Sequence, residues 1–79
     1  MMDWKISPLP PEKVIKALEK AGFFAIRQKG SHIFLQHPDG RTTVVPYHKG
    51  EDIGIGLLRK IMRDARMSRE EFLELVKKK

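Results

Sequence analysis

The sequence predicts an α+β fold in which a helix, three antiparallel strands, a second helix and a short third helix follow one another. Apolar residues recur at helical spacing before Gly22 and after Ile55, whereas the region between them has a period of two and is rich in β-branched and aromatic residues. Turn residues at 30–31 and 37–40 divide this region at hairpin spacing. Because a three-stranded sheet needs cover on at least one face, we expect the two longer helices on the same face.

The first helix is expected to begin near Pro11, because proline is tolerated in the first turn of a helix. Its apolar stripe is formed by residues at helical spacing, namely Val14, Ile15, Ala17, Leu18 and Ala21. Gly22 follows this stripe and suits the position at which a helix ends in a left-handed conformation.

Three strands are predicted over residues 23–29, 32–37 and 42–47. Pro46 has no N–H for a ladder, so the third strand either lies at an edge of the sheet or ends there. In the second strand Ile33 and Leu35 alternate with Phe34, and this alternation does not decide which set faces the core. With Ile33 and Leu35 outward, the sheet would carry an apolar patch rimmed by positive charge, suited to an acidic protein.

The helical period returns from Ile55, with an apolar side made of Leu58, Ile61, Met62 and Ala65. Ser68 and Glu71 have the spacing of a capping box, in which each side chain bonds to the backbone of the other residue. This box predicts a short last helix, whose packing residues are Phe72, Leu75 and Val76.

Length and composition limit the classes of function. At 79 residues the chain is predicted to form one domain, 1–79, with an N-terminal extension at 1–10 and a basic tail at 77–79. Cysteine is absent, which excludes disulfides, a thiol nucleophile and cysteine-ligated metal sites. No apolar stretch reaches the roughly 18 residues of a membrane span and the first residues lack a signal-peptide pattern, so we expect a soluble cytoplasmic protein without a membrane partner.

The net charge of +6 favours a polyanionic partner, with nucleic acid first and an acidic protein second. Basic residues recur along both longer helices, with Lys13, Lys16 and Lys20 on the first and Arg59, Arg63 and Arg66 on the second. Each stripe is by default a solvated face, but together they also fit a phosphate-binding surface.

Histidines are the remaining candidates for chemistry, because the chain has no Gly-rich phosphate loop and no recognisable nucleophile motif. His32, His37 and His48 are 5 and 11 residues apart, which matches no tight pair of metal ligands, so no metal or other cofactor is expected. His37 lies in a turn and is expected to be structural, whereas His48 is either a loop residue or a second functional group.

His32 differs because it follows Gly30-Ser31 at the start of a strand, where the backbone is rigid and the side chain can still meet a ligand. Nearby cations outnumber the single acid Asp39 and are expected to attract phosphate. A neutral imidazole there can accept a proton near neutral pH, although a lone histidine on a strand is more often structural.

Several blocks of the chain, taken in order, resemble the HicA-type mRNA interferase toxins of bacterial and archaeal toxin–antitoxin systems. They are VIKALEKAGF at 14–23, Gly30-Ser31-His32, HPDGR at 37–41, Val45-Pro46 with His48, Gly56 with LRKI at 58–61, and the tail at 68–75. One block alone is unspecific, but in this order and at this spacing the set is specific and extends over nearly the whole chain.

The resemblance implies a fold similar to the double-stranded RNA-binding domain and a small ribonuclease that cuts mRNA and is held inactive by a HicB-like antitoxin. The family's essential histidine corresponds to His32, which we take as a metal-independent general base acting on the 2′-hydroxyl of RNA. Further candidates for RNA contact follow from position alone, with Ser31 orienting His32: Arg27, Lys29, Ser31, Arg41, His48, Arg59 and Arg63.

Two positions depart from the family pattern. Leu57 stands where a threonine often follows the glycine that opens the second helix, and Arg66 stands where a glycine often closes it. Arg66 therefore either adopts a left-handed conformation at a cost or ends the helix differently. Two other functions stay open, a non-catalytic RNA-binding module of the same fold and a toxin homologue that only binds its partner.

Overall fold

Six elements follow one another in the predicted order. A computed structural model, which describes residues 5–78, contains α1 (Pro11–Lys20), β1 (Phe24–Lys29), β2 (His32–Gln36), β3 (Thr42–Pro46), α2 (Ile55–Ala65) and α3 (Arg69–Lys77). The α+β class and the three-stranded antiparallel sheet are thereby confirmed. No helix in this described part has the length and apolarity needed to span a bilayer.

The helices cover one face of the sheet. The strand order is β1-β2-β3, and both α1 and α2 pack against β3, while α3 packs on α1. From the sheet, Leu35 and Val45 point into this layer and are fully buried. The helices and loops complete the core with Val14, Ala17, Leu18, Phe23, Ile53, Leu58, Ile61, Met62, Ala65, Phe72 and Leu73.

This packing decides which face of β2 is buried. Leu35 is fully buried and Ile33 packs against the core, so the hypothesis of an outward patch made of Ile33 and Leu35 is wrong. Successive residues of a strand point to opposite faces, so His32 and Phe34 lie on the side that the helices do not cover. We call this side the open face.

A β-bulge in β1 decides which of its residues reach the open face. Ala25 pairs with Leu35, but the register shifts at Ile26, so that Arg27 pairs with Phe34 and Lys29 with His32. In an unbroken register Arg27 would lie opposite Ile33, on the helical side, and Lys29 would share that side. The bulge therefore turns both cations toward the open face.

Helix α1 ends as predicted. Gly22 has φ +104, its N–H donates to the Glu19 carbonyl at 2.9 Å, and the N–H of Phe23 donates to the Leu18 carbonyl at 3.0 Å. These two bonds form a Schellman motif, which satisfies carbonyls at the helix end.

Helix α2 ends in the same motif without a glycine. Arg66 has φ 55 and ψ 44, and its N–H donates to the Arg63 carbonyl at 3.1 Å. Of the two alternatives for this position, the chain adopts the left-handed one, which costs about 1 kcal/mol for a residue with a Cβ. The capping box of α3 is confirmed, with both bonds between Ser68 and Glu71 present.

Several predicted boundaries need correction. β2 ends at Gln36 rather than at residue 37, because His37 belongs to the turn and donates its N–H to the Arg41 carbonyl at 2.8 Å. β3 is an edge strand and also ends at Pro46. The predicted basic tail begins inside α3, which continues through Lys77, and residue 79 lies outside the described residues.

The predicted N-terminal extension is partly tied to the fold. Leu9 and Ile53 form an isolated antiparallel bridge, in which the Leu9 N–H donates to the Ile53 carbonyl at 3.1 Å. This bridge joins the segment before α1 to the loop before α2. Residues 1–4 of the extension lie outside the described residues.

Candidate active site

The open face of the sheet brings the candidate residues of β1 and β2 together. Its three rows follow from the register and are Lys29, His32 and Pro46; Arg27, Phe34 and Val44; and Phe24, Gln36 and Thr42. None of these nine residues is buried. The three strands contain no Asp or Glu, so the charge that the sheet itself contributes to this face is positive.

His32 stands at one end of the open face, directly after the Gly30-Ser31 turn. Gly30 has φ 58, which lets the chain reverse within two residues. The side chain is exposed, and within residues 5–78 no group hydrogen-bonds to its imidazole. Lys29 is its register partner in β1, and side chains of such directly opposite pairs lie about 5 Å apart at their Cβ atoms. The two side chains therefore offer a base and a cation at one place.

Arg27 lies in the next row, with its guanidinium over an aromatic ring. Its guanidinium carbon is 4.5 Å from the centroid of the Phe34 ring. A planar cation over a ring face is a favourable cation–π arrangement. Arg27 is thus held on the open face rather than extended freely into solvent.

Ser31 holds the loop that carries His48. The N–H of Tyr47 donates to the Ser31 carbonyl at 2.6 Å, and the Tyr47 hydroxyl donates to Glu12 Oε2 at 2.8 Å, which ties the loop to α1. The bond to the Glu12 carboxylate raises the pKa of Tyr47. Among the described residues, the Ser31 side chain makes no hydrogen bond to His32, so its predicted orienting role has no such contact behind it. His48 is exposed two residues beyond Pro46, the register partner of His32 in β3.

Arg41 is engaged elsewhere. Its Nε donates to Asp39 Oδ2 at 2.8 Å, its Nη1 donates to the Ala65 carbonyl, and its guanidinium carbon is 5.2 Å from the Phe23 ring. Only 19% of the side chain is exposed. These contacts place a cation at the carboxyl end of α2, where it stabilises the helix dipole. We therefore leave Arg41 out of the proposed RNA site.

His37 has a structural position, as expected. Its Nε2 donates to the Ala21 carbonyl at 3.1 Å, and its Nδ1 accepts the N–H of Asp39 at 3.1 Å. The same Nδ1 also lies 3.0 Å from Asp39 Oδ1, so the ring is held from both sides by the chain. Both ring nitrogens are thus engaged, in contrast to those of His32.

Arg59 and Arg63 lie in the helical layer, on the other side of the sheet from His32. They line a shallow hollow of about 320 Å³ together with Ile6, Met62, Met67 and Arg69. The stripe on α1 lies in a separate groove of about 670 Å³, whose other walls come from α3. The predicted cations therefore do not form one surface around His32, because the sheet separates the helical stripes from it.

Phe34 contacts the candidate Arg27 on the open face, although the sequence analysis did not single it out as functional. Its position beside His32 in the strand alternation was visible, but the same alternation also fitted a buried Phe34. Its pairing with Arg27 depends on the bulge at Ile26, for which the sequence gives no turn or glycine signal.

The described residues contain no group of three or more His, Cys, Asp or Glu side chains placed to hold a metal ion. The local donors near His32 are a lysine, an arginine and backbone groups, and cations of this kind suit phosphate. Chemically, the site offers one imidazole for proton transfer and positive charge for an anion.

Comparison with protein families identifies a match over most of the chain. The family described as HicA toxin of bacterial toxin–antitoxin matches residues 11–67, from the start of α1 to the residue after the Arg66 cap. The match includes the strands, the His32 turn and α2, but α3 lies beyond it, as does the tail that the resemblance included. No curated protein sequence shows significant similarity to the chain. Because the matched region is well over half of the 79 residues, the chain belongs to the HicA toxin family of toxin–antitoxin systems.

Proposed function

We propose that this toxin is an endoribonuclease that cleaves mRNA without a metal ion, with His32 as the general base. The observation that carries the proposal is the exposed imidazole of His32, unbonded within the described residues and paired in register with Lys29 on a face whose strands have no acidic residue. Membership of a toxin family supports a growth-arresting activity, and the Gly30-Ser31-His32 turn lies inside the matched region.

The reaction needs two things from the protein, a base and positive charge. The His32 imidazole takes the proton of a ribose 2′-hydroxyl, and the 2′-oxygen then forms a bond to the adjacent phosphorus while the bond from phosphorus to the 5′-oxygen breaks. The 5′-oxygen takes up a proton from solvent, which leaves a 2′,3′-cyclic phosphate and a 5′-hydroxyl. Lys29 and Arg27 stabilise the negative charge that accumulates on the phosphate.

This chemistry restricts the substrate to RNA. DNA lacks the 2′-hydroxyl that attacks, so the same site cannot cut it. A strand in which the 2′-hydroxyl at the cleavage position is replaced by hydrogen would bind and stay intact.

The partner in the toxin–antitoxin system is an antitoxin, and we propose a HicB-like protein that neutralises the toxin by covering the open face. Phe24 is 48% exposed there, and Arg27 and Lys29 follow it along β1. A face with exposed apolar area and positive charge suits an acidic surface that excludes water from its centre.

The test is a cleavage assay on a long single-stranded RNA in the presence of a chelator. The native protein, His32→Ala and Glu74→Ala are compared, the last as a control because Glu74 is exposed on α3, outside the matched region. We expect cleavage by the native protein and by the control. The cleavage rate of His32→Ala should fall by at least about 100-fold, the lower end of the range for loss of a general base. The fold of each variant is checked by its urea midpoint.

Two outcomes contradict the proposal. Cleavage that survives in His32→Ala assigns the base to another residue, of which His48 is the first to test. If no protein cuts but all of them bind RNA with steep salt dependence, the chain is a binding module of the same fold rather than a ribonuclease.

A further inference from the structure

The cation–π pair of Arg27 and Phe34 lies one row from His32 on the open face. Phe34 lies two positions after His32 along β2, which corresponds to about 7 Å. The guanidinium carbon of Arg27 lies over the ring, 4.5 Å from its centroid, so the cation and the ring are in contact beside the candidate base.

No carboxylate of residues 5–78 competes for this guanidinium. In the described part of the chain Arg27 forms no ion pair, whereas Arg41 is bound to Asp39 and to the end of α2. Arg27 is exposed, while Phe34, over whose ring the guanidinium lies, is half-buried. A planar cation supported by a ring is a surface on which a further planar group can stack.

Nucleobases are planar groups of this kind. Proteins that bind unpaired RNA on an open sheet use aromatic side chains and arginine planes as stacking platforms. In a duplex each base is already stacked between its neighbours, so such a platform is of use only to an unpaired strand.

We propose that Arg27 and Phe34 form a base-binding subsite, on which an unpaired base next to the cleaved phosphate stacks. The inference rests on the proposed ribonuclease function and adds to it the part of the substrate that the protein recognises. The stack positions the scissile phosphate over His32 and Lys29, and it makes Arg27 a positioning residue whose planarity matters in addition to its charge. An antitoxin surface on the same pair is the competing interpretation.

The experiment measures binding rather than cleavage, in a His32→Ala background that leaves the RNA intact. A labelled oligoadenylate and an abasic strand with the same number of phosphates are titrated with Arg27→Lys, Phe34→Leu and Phe34→Tyr. Arg27→Lys keeps the charge and removes the plane, while Phe34→Tyr keeps the ring. Arg69→Lys on α3 is the matched control for an arginine exchange outside the subsite.

We expect the background protein and the Arg69→Lys control to bind the oligoadenylate about tenfold more tightly than the abasic strand, within the range of one stacked base. Arg27→Lys and Phe34→Leu should reduce the ratio of the two affinities toward one. The affinity for the abasic strand itself should stay nearly unchanged. Phe34→Tyr should retain the preference for the oligoadenylate, because it keeps the ring. An RNA duplex of the same length should show no response to any of these exchanges.

The subsite is overturned if the background protein has no preference for bases, or if the preference survives in both Arg27→Lys and Phe34→Leu. It is also overturned if these exchanges weaken binding of the antitoxin and leave the base preference intact. If the native protein cleaves RNA but binding shows no preference for bases, the subsite is overturned and the ribonuclease proposal stands. Base preference without any cleavage overturns the ribonuclease and keeps the pair as a base-binding platform.

Discussion

The imidazole of His37 lies against the backbone of Gly22, so that a Cβ on this glycine would be 2.8 Å from His37 Nε2. The same nitrogen donates to the Ala21 carbonyl, and the ring meets Phe23 edge-on with centroids 5.2 Å apart. One side chain thereby joins the end of α1 to the turn between β2 and β3. The glycine provides both the positive φ of the helix end and the room for this ring.

Gly22→Ala is expected to lower the free energy of unfolding by about 2 to 4 kcal/mol. Strain at φ +104 accounts for about 1 to 2 kcal/mol, and displacement of His37 from the Ala21 carbonyl adds about as much. Gly40→Ala is the matched control, because Gly40 has φ +99 and nothing within 4 Å of its added Cβ. Urea titrations of both variants measure the difference. Equal losses in the two would mean that the contact between His37 and Gly22 contributes nothing.

Arg66→Gly is expected to stabilise the protein by about 1 kcal/mol. Arg66 ends α2 at φ 55 and ψ 44, a conformation that glycine adopts without the steric cost of a Cβ. The matched control is Arg63→Gly inside α2, where the same exchange should destabilise by about 1 kcal/mol because glycine is a poor helix former. Thermal unfolding of the two variants should shift in opposite directions, and a shift in the same direction would contradict the argument.

Stability is expected to fall at acidic pH through the capping box of α3. The Ser68 N–H, and then the Ser68 hydroxyl, hold the pKa of Glu71 below its ordinary value of 4.5. A depressed pKa in the folded state means that the stabilisation is fully present above about pH 4.5 and is lost as pH falls through the folded-state pKa. Urea midpoints are measured at pH 6 and pH 3 for the native protein and for Glu71→Gln. The fall in midpoint between the two pH values should be smaller in the variant than in the native protein. If both proteins lose the same stability, the box does not contribute to the acid transition.

The parts of the fold that were predictable from the sequence rest on local signals. A glycine after an apolar stripe ended α1, and a serine three residues before a glutamate began α3, because each satisfies backbone groups within one turn. The role of His37 also followed from its turn. Such signals are read from a few neighbouring residues and do not depend on what packs against them.

The site was less predictable because its geometry depends on pairings across the sheet. The bulge at Ile26 adds one residue to β1 and so turns Arg27 and Lys29 to the open face, and nothing in the local sequence marks it. Arg41 shows the same limit, because a cation that binds the end of α2 looks the same in the sequence as one that faces a ligand. His32 became a candidate through its position after a glycine turn at the start of a strand, and the family resemblance then implied its role as the base.

A last prediction concerns which side of the molecule binds RNA. In the His32→Ala background, Lys29→Gln should reduce the slope of log affinity against log salt by about 0.7, the value for one phosphate contact of a single strand. Arg63→Gln removes the same charge from α2, on the other side of the sheet, and the two slopes therefore compare the open face with the helical stripe directly. A smaller slope in Arg63→Gln alone would place the RNA on the helices. In that case the strand would not pass His32, and the ribonuclease proposal would need a different base.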